Sequence, residues 1–297
     1  MKRFSVVLVL AVISVSLQAQ GFPQGFPQGF PQGMSAFFGP MSETIQIWPD
    51  GAPNAFESPE GSQYTEATLE IYPARNPNGY CVIACPGGGY SVLSDTHEGR
   101  DFKDFFNARG YTFCLLEYRM PRGHHDVPLS DLQQAMRIMR GRKDLGIEHI
   151  GVMGCSAGGH LASTGATHYV DADTKPEFQI LIYPVTTMDL AITHRGSYDG
   201  LLGENPSQEL VDLYSNDKQV TPETCPALLL LASDDFLVPV ANSIRYYEAL
   251  LSNHVSASMH IYPTGGHGFG WGDRFVYKTE MGLEIERWLN NVVRTAK

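Results

Sequence analysis

The stretch Glu148–Ser163, EHIGVMGCSAGGHLAS, limits the possible folds most sharply. Its first half, His149 to Met153, is a short apolar run led by Ile150, Val152 and Met153, as a buried strand should be. From Ala157 onward it turns rich in Ala, Gly and Leu and reads as a helix start. Gly154-Cys155-Ser156-Ala157-Gly158 joins the two halves as a G-x-S-x-G pattern at a strand-to-helix switch. Strand and helix nearly touch across so sharp a turn, so positions two before and two after the serine need residues without bulky side chains. Gly154 and Gly158 meet that need, and Ser156 is expected at the apex with its hydroxyl exposed. With 30 glycines in 297 residues and serine at a typical ~7%, chance supplies roughly 0.2 such matches. The surroundings must therefore carry the reading.

Those surroundings alternate strand and helix. ATLEIYPA, 67–74, reads as an edge strand, and Tyr80 to Cys85 as a strand covered on both faces. Glu98 to Arg109 places Phe102, Phe105, Phe106 and Ala108 at roughly helical spacing and stops at Gly110. Tyr111 to Tyr118 is the next strand. Asp131 to Arg142 is a helix with Leu132, Ala135, Met136 and Met139 on one face and Ser130 or Asp131 as its cap. After the central strand and a helix through Ala166 comes another strand, Phe178 to Val185. A polar, glycine-interrupted insertion, Thr186 to Thr221, breaks the rhythm. Strand Ala227 to Ala232, helix Val240 to Leu251, strand Ser256 to Tyr262 and helix Lys278 to Val292 restore it. Such alternation implies a mostly parallel sheet with helices on both faces. Ligands of such sheets bind beyond the C-terminal strand ends, where Ser156 lies.

The start of the chain is different. Lys2 and Arg3, an apolar stretch from Phe4 to Leu17 and Gln18-Ala19-Gln20 read as a cleaved export signal over residues 1–20. Residues 21–32 are three copies of Gly-Phe-Pro-Gln, so 21–40 is expected to be a flexible linker and 41–297 a single domain. Losing Lys2 and Arg3 moves the net charge from -11 to -13. That acidity argues against nucleic acid or an anionic membrane as partner. Five cysteines show no zinc-like spacing. Cys81, Cys85 and Cys114 fall in buried strands, where export would permit a disulfide between neighbours.

A serine hydroxyl attacks only when a neighbouring base takes its proton. In this arrangement an acid and then a histidine should follow Ser156, each in a loop after a later strand. The loop after 227–232 supplies Asp234 and Asp235, either of which could orient a ring. The glycine-rich loop after 256–262 supplies His267. Backbone N–H groups for a developing oxyanion should come from Ala157 and from Pro86-Gly87-Gly88-Gly89-Tyr90. A phosphate loop is the competing reading, but no lysine follows the glycines.

Together PGGGY, HEGRDFKDFFNARGYTFCLLEYR, GCSAGGH, LLGENPS, SDDFLVP and GGHGFG resemble the α/β-hydrolase esterases of the acetylxylan esterase and feruloyl esterase-like group. Hormone-sensitive-lipase-type enzymes are more distant relatives. The resemblance runs from about Trp48 to the C-terminus. It implies the α/β-hydrolase fold, with Ser156 as nucleophile, His267 as base and Asp235 as acid. Asp235 is singled out because the family's D-x-x-V-P places the acid three residues before Val238. It also implies Gly88, Gly89 and Ala157 as oxyanion donors, and no metal or organic cofactor. Pro86 stands where the lipase-type relatives have histidine, and Cys155 where some have aspartate.

The resemblance implies a secreted serine esterase removing short acyl groups, acetyl first, from xylan or its oligosaccharides. A feruloyl esterase is the alternative within the class. A prolyl-oligopeptidase-type peptidase is disfavoured because the segment ahead of the first strand is too short for a propeller. A sugar-facing surface wants aromatic faces and hydrogen-bonding groups, and Tyr90, His194 and Trp271 are the candidates, with His124 and His125 beside them. The partner the resemblance implies is acylated plant-wall polysaccharide or oligosaccharide.

Overall fold

The computed structural model describes residues 41–293; the expected signal and repeat linker lie outside them. The core is one eight-stranded sheet: β1 (Glu43–Gln46), β2 (Thr68–Tyr72), β3 (Tyr80–Cys85), β4 (Thr112–Glu117), β5 (His149–Cys155), β6 (Phe178–Ile182), β7 (Ala227–Ala232) and β8 (Ala257–Tyr262). Their spatial order is β1-β2-β4-β3-β5-β6-β7-β8. From β4 to β8 every neighbour is parallel, while β2 runs antiparallel to β1 and β4. The mostly parallel sheet read from the alternation is thus the observed architecture.

Two-residue periodicity splits each apolar run between two cores. On β3, Cys81, Ile83 and Cys85 enter one core, and Tyr80, Val82 and Ala84 the other. The first core takes the apolar faces of α2 (Val127–Gly141), α3 (Ser156–Thr167) and α6 (Ala241–Ser252). The second takes α1 (Lys103–Asn107) and α7 (Lys278–Trp288), through Phe105, Phe106, Met281, Ile285 and Trp288. With both faces covered, strands need no polar alternation, which is why β3 and β7 are apolar throughout.

Several expectations are corrected. The strand expected at the edge, β2, is internal, because β1 pairs along its outer side through Glu43 to Gln46. Four residues with alternating half-buried positions carry too little apolar signal to be read as a strand. Helix α2 starts at Val127 rather than Asp131, with Pro128 in its first turn. Asp131 is therefore no cap; it is buried and receives Arg119 and the Trp48 indole N–H. The aromatic helix begins as a 3₁₀ turn at Arg100–Phe102 and becomes α-helical at Lys103. The insertion folds into α4 (Arg195–Leu202) and α5 (Gln208–Leu213). All five cysteines are free and buried; Cys81 and Cys114 Sγ lie 3.7 Å apart, unbridged.

Candidate active site

The turn from β5 into α3 is as tight as its glycines demand. A Cβ on Gly154 would overlap the Gly158 carbonyl, and one on Gly158 would overlap the Cys85 carbonyl. Ser156 at the apex has φ +54°, a left-handed conformation that non-glycine residues rarely adopt. One expectation fails here. Ser156 is 5% exposed rather than outward-pointing, because its hydroxyl is covered by another side chain.

That side chain is His267, from the loop after β8. Its Nε2 lies 2.8 Å from Ser156 Oγ, and its Nδ1 lies 2.7 Å from Asp235 Oδ2. A carboxylate only accepts, so Nδ1 carries the ring proton and Nε2 is left as the acceptor of the serine O–H. Asp235, in the loop after β7, is held by two further donors. Its Oδ1 accepts the amides of Leu237 and Val238, both at 2.9 Å. Asp234 acts elsewhere. Its Oδ1 accepts Gly266 N–H at 2.7 Å, bracing the loop that carries the histidine. Three loops from the ends of three parallel strands thus bring serine, histidine and aspartate into one hydrogen-bonded row.

The glycine loop after β3 lies alongside. Gly87 N–H is taken by Glu98 Oε2 at 2.9 Å. The amides of Gly88 and Gly89 donate to no carbonyl or side chain among the described residues. Ala157 is the second residue of α3, where a helix has no carbonyl of its own to offer an N–H. The positive end of the α3 dipole is at the same place. Such a group of amides beside a serine–histidine pair can stabilise a tetrahedral oxyanion in acyl transfer.

Residues 82–270 match the family model of the alpha/beta hydrolase fold. The chain belongs to that family. The chain is 37% identical over 234 residues to an acetylxylan esterase of Xylanibacter ruminicola, covering 76% of this chain and 48% of that protein. It is 32% identical over 205 residues to endo-1,4-beta-xylanase B of Butyrivibrio fibrisolvens, covering 63% and 32%. The chain therefore spans about half the length of the first relative and a third of the second. A crystal structure of an acetyl ester-xyloside bifunctional hydrolase from Caldicellulosiruptor lactoaceticus matches with TM-score 0.74 at 33% identity, covering 84% of this chain and 95% of that one.

One of the three sugar-facing candidates, Tyr90, is not where it was expected. Tyr90 is buried, with its hydroxyl 2.9 Å from His160 Nδ1 and its ring in the first core. Trp271 packs on Phe102 and Phe105, with centroids 5.0 and 4.8 Å apart, and Lys278 covers its ring. Tyr90 is thus taken into the core, whereas Trp271 is half-buried at the margin of the second core. His194 does reach the site. Its Nδ1 accepts Ser197 N–H at the start of α4, and its Cε1 faces Gly89. Half-burial first, and then its neighbour His267, lowers its pKa. Of the other two, His124 stacks on Phe56 with centroids 4.0 Å apart, and His125 Nδ1 lies 2.8 Å from the Tyr214 hydroxyl.

His160, one turn after Ser156, escaped the sequence reading because a lone histidine on an apolar helix carries no pattern. Its Nε2 donates to the Tyr214 carbonyl at 2.8 Å, leaving Nδ1 to accept from Tyr90, and burial lowers its pKa to about 4. In the unfolded chain the same ring titrates near 6.5. Below 6.5 the unfolded state binds a proton that the folded state refuses, so stability is lost as pH falls toward 4. Unfolding in denaturant at pH 6.5 and 4.5 is expected to show about 2–3 kcal/mol less acid destabilisation in His160→Gln than in wild type. Equal slopes would refute it. Among the described residues no helix is long and apolar enough to cross a membrane.

Proposed function

We propose that this α/β hydrolase is a secreted serine esterase that removes short acyl groups, acetyl first, from xylan or xylo-oligosaccharides. The observation that carries the chemistry is the unbroken row Ser156–His267–Asp235, with separations of 2.8 and 2.7 Å. In the reaction His267 Nε2 takes the proton as Ser156 Oγ bonds to the ester carbonyl carbon. The amides of Gly88, Gly89 and Ala157 stabilise the resulting oxyanion. As the tetrahedral centre collapses, His267 gives the proton to the leaving sugar oxygen. Water then enters, loses a proton to His267 and releases the acid from Ser156 by the same steps. Asp235 holds the ring tautomer and balances the imidazolium.

The substrate rests on likeness. An acetylxylan esterase and an acetyl ester-xyloside hydrolase share 37% and 33% of matched residues with this chain. Export rests on the signal-like residues 1–20, with 21–40 as linker and 41–297 as catalytic domain. His194, beside the oxyanion loop, is the residue we assign to the substrate. The test is acetate release from acetylated xylan against ferulate release from feruloylated arabinoxylan, followed by acetyl, butyryl and longer nitrophenyl esters. Acetate release and an acetyl preference are expected. Ferulate release without acetate, or preference for butyryl and longer chains, would overturn the substrate assignment and leave the serine chemistry standing.

A further inference from the structure

One buried acid that the mechanism above does not use joins the oxyanion loop to the histidine loop. Glu98 is 3% exposed, and both its oxygens accept from neutral donors. Oε2 takes Gly87 N–H at 2.9 Å, and Oε1 takes the Tyr183 hydroxyl at 2.8 Å. The Tyr183 oxygen in turn accepts Gly270 N–H at 2.8 Å, three residues beyond His267. Next to Glu98, the His97 carbonyl accepts Trp271 N–H at 2.7 Å. Gly87 is wedged tightly: a Cβ there would collide with Glu98 Oε2 and come within 2.9 Å of Ser156 Cβ.

Tyr183 is the second half of the device. It leaves β6 with φ +37°, a strained conformation for a tyrosine that persists only where surrounding contacts impose it. Its ring stands 4.8 Å from the His267 ring and 4.5 Å from that of Phe269. Burial pushes its hydroxyl pKa well up, so it stays protonated and donates to the carboxylate. The hydrogen-bonded line therefore runs Gly87, Glu98, Tyr183, Gly270, and its Gly87 end packs against the nucleophile.

We propose that Glu98 is a positioning residue that, through Gly87 and Tyr183, sets the spacing between the oxyanion loop and His267 so that both face one carbonyl carbon at once. The inference rests on the esterase reading above. The chemistry needs a carboxylate, because two donors point at the two oxygens. A glutamine is nearly the same size but has one accepting oxygen, so it loses either the Gly87 N–H or the Tyr183 O–H bond, even where the Tyr183 oxygen accepts from its NH₂. A purely space-filling role would tolerate that exchange; a positioning role does not.

The test uses the full chain with 4-nitrophenyl acetate. Glu98→Gln and Tyr183→Phe are each expected to lower kcat by about 10- to 100-fold, with KM within about twofold, as for a displacement of up to an ångström at the reacting groups. The double variant should lose about as much as either single, because both break the same line. Affinity for a trifluoromethyl ketone, which forms an oxyanion on Ser156, should fall by the same factor as kcat/KM. Wild-type kcat in Glu98→Gln, a loss confined to KM, or fully multiplicative losses would overturn the proposal. Should Glu98→Gln fail to fold, Tyr183→Phe carries the test, and an unchanged kcat there overturns it. A wild-type chain that cleaves no ester would refute the esterase reading instead.

Discussion

With Ser156 replaced by alanine, kcat on 4-nitrophenyl acetate is expected to fall by about 10⁵- to 10⁶-fold, and the chain should still fold. The loss follows from deleting the only atom that bonds to the substrate. Amides and binding groups that remain keep ~10³-fold over water. Folding should survive because the hydroxyl donates to His267 Nε2 and makes no other side-chain bond among the described residues. The strained φ of +54° is held by the glycines around it rather than by the serine side chain. Steady-state rates and a thermal melt check both halves. A fluorophosphonate that labels wild type and leaves the variant untouched gives an independent reading. Activity within tenfold of wild type would end the serine-esterase proposal.

The second large effect separates two neighbouring carboxylates. Asp235→Asn is expected to lower kcat by about 10⁴-fold. An amide facing His267 Nδ1 favours the tautomer with its proton on Nε2, and that nitrogen then faces Ser156 Oγ as a donor and cannot accept. Asp234→Asn should stay within about tenfold of wild type, because its contact is with Gly266 N–H and an amide carbonyl can accept that bond equally well. Rates for both variants, measured with thermal midpoints, decide the matter. Equal or reversed losses would contradict the assignment of Asp235.

The sequence alone settled much of the architecture, because its signals are local. The apolar runs of β3, β5, β6 and β7 announce themselves within five to seven residues. Gly154 and Gly158 are demanded by a turn that closes within five residues, and the serine, aspartate and histidine loops follow strands that can be read one by one. What remained hidden depended on distant partners. Nothing near Glu43 shows that β1 will pair with β2 and displace it from the edge. The choice between Asp234 and Asp235 rested on resemblance to a motif; in space it becomes a matter of which oxygen meets His267 and which meets Gly266. Tyr90 and Trp271 look the same in sequence whether they face solvent or core. Packing drew Tyr90 inward, since burying a large ring is favourable, and left Trp271 half-buried against Phe102 and Phe105. Glu98 and Tyr183 lie 85 residues apart and meet only once β6 and the turn after β3 are in place. Local periodicity decides where strands, helices and tight turns form; which polar groups share a buried space is decided by tertiary packing, because each such group must find its partner wherever the fold brings one.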